Sequence, residues 1–175
     1  MRSVCGGRGV LRNLSPLISM MNLIAAGISI LLLVILDQGS KLLIQHSIPF
    51  QSSTPVIPGF FNLTHLHNTG AAFGMLNDSN LFFEILASVA LVALIASRRH
   101  FAGKLMGTAW VLLIAGIIGN ITDRLRLGHV VDFLDFQLAG YHWPSFNVAD
   151  SCICVAAGLF LLSSFQPPSP KSSQS

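Results

Sequence analysis

The sequence predicts an α-helical integral membrane protein with four transmembrane helices and a small extracytoplasmic segment that contains β-structure. Three observations carry this prediction. Hydrophobic residues make up 52% of the 175 positions and charged residues only 10%, against about 25% charged in a soluble domain. The apolar residues fall in four long stretches separated by polar segments. Seven of the ten basic residues collect at one set of stretch ends, while the seven acidic residues, with Lys41, Arg124 and Arg126, lie at the other.

Leu17 to Leu36 runs for twenty residues without a charge, long enough for a hydrocarbon core of about 30 Å. It exceeds the apolar core of a cleaved leader and no Ala-x-Ala-like site follows, so a retained helix is expected. Segments at 81–97, 105–122 and 148–165 supply the other three spans, with Glu84 interrupting the second near its start. Arg2, Arg8 and Arg12 lie before the first span, and Arg98, Arg99 and Lys104 lie between the second and third. The excess of Lys and Arg on cytoplasmic loops puts both termini inside. The expected organisation is a cytoplasmic N-terminal segment at 1–16, a four-span domain at 17–165 and a disordered cytoplasmic tail at 166–175, where Pro167, Pro168 and Pro170 end the last helix.

Segments 37–80 and 121–149 then face outward and hold, with their membrane edges, every Asp and Glu. Residues 61–67 partly alternate apolar and polar side chains, as a half-buried strand does, so a small sheet on the membrane surface is expected there. Residues 133–149 read as a loop folding back, with Gly140 and Pro144 as its turn residues. The formal charge of +3 is split among separate places, which excludes a continuous phosphate-binding stripe and hence nucleic acid.

Asp132 and Asp150 flank that loop, eighteen residues apart, and can meet only if it folds back. Two close carboxylates share a proton. One can act as base on a water while the other hydrogen-bonds a carbonyl, which is peptide hydrolysis without a metal. Asp150 also suits the positive end of a helix with Asn147 as its N-cap, and Asp132 taken alone could be a surface acid beside Arg124 or Arg126. Asn120 and Arg124, at the end of the third span, are candidates for binding an extended peptide with Asp123 orienting them. As an interfacial cluster they could equally satisfy helix ends. Asp37 and Lys41 fit one helical turn as an ion pair. Asn68 and Gly70 suit either a ligand contact or a turn. His65, His67, His129 and His142 could hold zinc, but no His-Glu-x-x-His helix accompanies them. Cys152 and Cys154 are two apart on a helix and read as small apolar residues.

Five stretches together resemble the bacterial lipoprotein signal peptidases, the signal peptidase II family. They are Asp37-Gln-Gly-Ser-Lys41, Asn68-Thr-Gly-Ala-Ala-Phe73, Gly119-Asn-Ile-Thr-Asp-Arg124, Gly128-His-Val-Val-Asp-Phe133 and Phe146-Asn-Val-Ala-Asp150. The resemblance covers about residues 20 to 165 and implies an aspartic endopeptidase of the bacterial inner membrane. It would cleave diacylglyceryl-modified prolipoproteins N-terminal to the lipidated cysteine and be inhibited by globomycin-type compounds. The dyad would be Asp132 and Asp150, with Asn68, Gly70, Asn120, Arg124 and Asn147 on the substrate and Asp37, Lys41 and Asp123 in support. No metal or other cofactor, no nucleic acid, lipid surroundings and a monomer are expected. A small ion- or proton-coupled transporter is the alternative from another class. It requires acids in opposed or broken helices at the midplane.

Overall fold

The computed structural model describes residues 7–70, 80–101, 103–138 and 140–165, with side chains from Asn22 onward in the first helix. Among them are four α-helices, α1 (Gly7–Ser47), α2 (Asn80–Ala96), α3 (Lys104–Leu127) and α4 (Val148–Ser164). Four strands, β1 (Ser53–Ile57), β2 (Phe61–Asn68), β3 (Val130–Leu138) and β4 (Tyr141–His142), lie between α1 and α2 and between α3 and α4. Two helical segments, Asn22–Ser47 and Lys104–Leu127, are long and apolar enough to cross a membrane, while Leu81–Ala96 and Val148–Ser164 are shorter apolar helices. Large apolar side chains such as Leu32, Leu43, Val92 and Leu161 stand exposed along these helices, an exterior that lipid tolerates and water does not.

α1 is longer at both ends than the apolar stretch at 17–36. It begins at Gly7, inside the segment set apart at 1–16, and passes through Asp37 and Lys41 to Ser47. Pro49 follows shortly after its end and precludes continuation. α3 stops where Gly128 adopts φ 74° and its N–H closes on the Arg124 carbonyl, a left-handed cap natural to glycine. α4 starts at Asn147, an extended residue whose side chain accepts from the Asp150 N–H.

The strands form one antiparallel order, β1-β2-β3-β4. β2 appears where the alternation at 61–67 predicts it. Residues 133–149, read as a loop, hold most of β3 and all of β4, because Val130 to Leu138 is dominated by β-branched and aromatic side chains that favour a strand despite two acids among them. β1 lies in the segment at 37–80 ahead of that alternating run. A reciprocal backbone pair between Leu134 and Phe146 (2.8 and 3.1 Å) then returns the chain to β3 just before α4. Under the sheet, Ile44 of α1 and Ile48 just beyond its end meet Phe133, with Leu63, Leu134 and Val148 packed around them. This core fixes the sheet on the ends of the helices. The tail at 166–175 and residues 71–79, which include the last three positions of the Asn68–Phe73 stretch, lie outside the described residues.

α3 is the central helix, in contact with α1, α2 and α4. Its close approach to α4 and α1 depends on two glycines. A Cβ on Gly116 would lie 2.5 Å from the Ala149 carbonyl oxygen, and one on Gly119 would lie 2.6 Å from Asp37 Oδ2. The first obstacle is backbone and cannot swing aside. Gly116→Ala is therefore expected to lower stability by about 1–3 kcal/mol through overpacking, whereas Gly107→Ala, with nothing within 4 Å of its Cβ, should be neutral or stabilising. Thermal unfolding in detergent micelles tests the pair, and equal midpoints would refute the close-packing account.

Candidate functional site

Four polar side chains of the helices meet in a dry junction. Lys41, Asp37 and Asp123 are each no more than 2% exposed. The Lys41 ammonium lies 2.8 Å from Asp37 Oδ2 and 2.9 Å from Asp123 Oδ2, and it donates to Asn120 Oδ1 at 3.3 Å. Asp37 Oδ1 accepts from the Ala149 N–H (2.8 Å), so α1 caps the first turn of α4 as Asn147 does. Asp123 Oδ2 accepts from the Val131 N–H of β3 (3.1 Å). Gln38 completes the junction by donating to Asp37, Asp123 and the Gly119 carbonyl. Asp37 and Lys41 thus pair as their spacing predicts, but they do so in the interior with a second carboxylate. Asp123 is expected from sequence to orient Asn120 and Arg124; its carboxylate contacts Lys41, Gln38 and the Val131 N–H, and it reaches Asn120 through Lys41. Neighbouring helix positions point about 100° apart, so Asp123 faces α1 and Arg124 another way.

Beyond Lys41 the chain of contacts continues to Asp132 and Asp150. Asn120, oriented by Lys41, donates through Nδ2 to Asp150 Oδ1 at 2.7 Å. Asn147 is fully buried and touches both acids: its Nδ2 donates to Asp132 Oδ1 (2.8 Å) and its Oδ1 accepts from the Asp150 N–H (2.9 Å). Asn68 Nδ2 donates to Asp132 Oδ2 at 2.9 Å. The Gly70 N–H in turn donates to Asn68 Oδ1 at 3.0 Å, an Asx turn that sets which end of the Asn68 amide faces the acid. β3 supplies Asp132, and the Leu134–Phe146 pair brings Asn147 and Asp150 back to it. Asp132 is therefore a buried strand residue rather than a surface acid paired with Arg124 or Arg126.

Burial first, and then the charge of Asp150, pushes the Asp132 carboxyl up to about 7, against the Asn68 and Asn147 amides and the more distant Lys41 charge, which favour ionisation. The group can thus hold a proton near neutrality.

A cavity of about 570 Å³ opens against Asp150. Asn68, Gly70 and Arg124 contribute polar groups to its wall, and Phe83, Trp143 and Phe146 supply aromatic surface. The Arg124 guanidinium carbon lies 5.7 Å from the Phe83 ring centroid, and its buried Nε has no hydrogen-bond partner among the described residues. Gln38, Phe83 and Trp143 were not singled out from sequence. Gln38 stands inside the Asp37–Lys41 stretch, but nothing in its spacing points to Asp123 on another helix. Phe83 and Trp143 look like ordinary apolar residues until the fold places them opposite Arg124 and Asp150. The four histidines do not converge. His65, His67 and His129 lie together, while His142 Nδ1 faces Asp135 Oδ1 at 3.5 Å, because β4 pairs with the far end of β3.

The family model described as Signal peptidase (SPase) II matches residues 29–166. A lipoprotein signal peptidase from Nitratidesulfovibrio vulgaris is 41% identical over 143 residues, spanning 78% of this chain and 87% of the relative. One from Syntrophotalea carbinolica is 44% identical over 140 residues, 77% of this chain and 87% of its own. Among solved structures, a bacterial membrane enzyme determined by the in meso method superposes with a TM-score of 0.77 at 35% identity, covering 86% of this chain and 93% of that one. The likeness runs from within α1 to the end of α4 and takes in the sheet and the polar junction between them, so this chain belongs to the signal peptidase II family of bacterial membrane proteases.

Proposed function

We propose that this protein cleaves the signal peptide from diacylglyceryl-modified prolipoproteins, N-terminal to the lipidated cysteine, with Asp132 and Asp150 activating the attacking water. The observation that carries the mechanism is Asn147, which holds a protonatable, buried Asp132 and the backbone of Asp150 on a single amide. Asp150 acts as the base: it takes a proton from water as the water oxygen bonds to the scissile carbonyl carbon. Asp132 gives its proton to the carbonyl oxygen. Collapse of the tetrahedral diol returns that proton to Asp132, and the proton on Asp150 goes to the leaving amine, so both acids regain their starting forms. Asn120 and Asn68 orient the two carboxylates. Arg124, whose side chain lines the cavity, binds a peptide carbonyl of the extended substrate. No metal takes part.

The chain is placed in the inner membrane with four crossings, termini in the cytoplasm and the carboxylates at the outer face. The basic turn at Arg98–His100 and Lys104 supports that orientation, as does the sheet standing at the opposite helix ends. In this setting the substrate's acyl chains stay in lipid while the bond to be cut reaches the polar junction. The names of the relatives, lipoprotein signal peptidases, support the substrate class. The protein acts as a monomer in lipid, and globomycin-type compounds compete for the cavity. Transport through the acids is disfavoured by their position at helix ends on one side.

Asp132→Asn and Asp150→Asn are each expected to lower cleavage of a diacylglyceryl-modified prolipoprotein by at least about a hundredfold in purified, folded protein, with chelator leaving the wild type unaffected. Two folded mutants that both cleave at wild-type rate would remove the dyad assignment.

The rate should also fall as pH rises through about 7, because the pair then loses the proton that Asp132 must donate. This apparent value belongs to the pair. Stability follows the same sign: the folded Asp132 binds its proton more tightly than the unfolded one, so folding free energy declines between pH about 4 and about 7. Asp132→Asn should flatten that decline in a pH series of unfolding midpoints. An unchanged slope would show that Asp132 is not the group titrating.

A further inference from the structure

Outside the carboxylate junction, the densest set of titratable groups without a role is the histidine group on β2. His65 and His67 present their Nε2 atoms to each other at 3.2 Å. His65 is buried, and its Nδ1 lies 2.9 Å from the Ile48 carbonyl oxygen. A carbonyl only accepts, so Nδ1 carries the proton and Nε2 offers a lone pair. A metal-ligating histidine is commonly held in just this tautomer by a backbone carbonyl.

His67 is exposed, yet its ring is clamped between Phe50, stacked at 4.1 Å, and His129, stacked at 3.6 Å. The ring is therefore fixed in orientation.

The separation of the rings bears on what the pair can hold. Two imidazole nitrogens on a tetrahedral zinc, each about 2.0–2.1 Å from the ion, stand roughly 3.3 Å apart with ring centroids about 5 Å apart. A straight N–H···N hydrogen bond of the same length would put the centroids at about 5.5 Å. The observed centroid separation is 5.1 Å, with ring planes at 65°, nearer to the chelate.

We propose that His65 and His67 form a two-imidazole site for a borderline divalent transition-metal ion such as Zn²⁺, separate from the carboxylates. Among the described residues no three His, Cys, Asp or Glu side chains converge on one ion, so water completes the coordination and the affinity is below that of a closed structural site. His129 is the stacking wall of the site and not a ligand. His67 immediately precedes Asn68, whose amide contacts Asp132, and successive strand side chains point to opposite faces, so an ion here lies across the sheet from the carboxylates.

The test is calorimetric titration of tag-free, full-length protein in detergent micelles with Zn²⁺. One ion per chain with a micromolar Kd is expected. His67→Gln, at an exposed position that leaves the fold intact, should weaken binding about tenfold or more, and His142→Gln should not change it. Binding only at millimolar concentration, binding that survives His67→Gln, or binding lost with His142→Gln would each overturn the site. None of these outcomes depends on whether the protein cleaves prolipoproteins.

Discussion

Lys41 is buried between Asp37 and Asp123, within 3 Å of both, and the rest of the interior is arranged around that contact. One cation between two carboxylates leaves a net negative charge out of water, a state that survives only with additional donors. The structure supplies them from three places: the Gln38 amide, the Ala149 N–H at the start of α4 and the Val131 N–H at the start of β3. Satisfying the charge therefore fixes α1, α3, α4 and β3 relative to one another. Breaking such a buried arrangement by removing one partner costs about 3–5 kcal/mol. In a membrane, where apolar packing between helices gains little over lipid, specific polar contacts of this kind carry more of the burden of uniqueness.

The same junction explains why the outer acids have an unusual environment. Asp132 and Asp150 receive side-chain hydrogen bonds from Asn68, Asn147 and Asn120, all neutral amides. Amides orient a carboxylate without the large charge compensation of a guanidinium or ammonium at contact distance, which would hold a carboxyl firmly ionised. Lys41 is one residue removed, acting on Asp150 through Asn120. Its charge is spent on Asp37 and Asp123, and its geometric influence is passed on as the orientation of an amide.

The four helices were legible as long apolar stretches, and two of them are long and apolar enough to cross a membrane. Asn147 and Asp150 were legible as cap and third residue because the cap rule is local. β2 was legible from alternation. β3 was not: its inward and outward faces are both substantially covered, so the alternation at Val130–Leu138 is blurred, and Gly140 and Pro144 drew attention to a turn. The Asp37–Lys41 pair followed from helical spacing, but its burial did not. Its second carboxylate, Asp123, comes from a helix whose rotation no local pattern reports. For the same reason Arg124 and Asp123, adjacent in sequence, were expected to cooperate and instead face different neighbours. Phe83 and Trp143 show the limit most plainly, since apolar residues carry no mark of which will line a cavity.

Asn147 does two jobs with one amide, ending the turn into α4 with its oxygen and gripping Asp132 with its nitrogen. Both atoms belong to one planar group, so the orientation that caps α4 is also the one that meets Asp132. A chain whose fourth helix has not yet been seated has no paired acids, and so nothing that could hydrolyse a neighbouring peptide. On the proposed mechanism the newly made enzyme is inert until it is assembled, and it needs no removable pro-segment to protect the membrane during its own biogenesis.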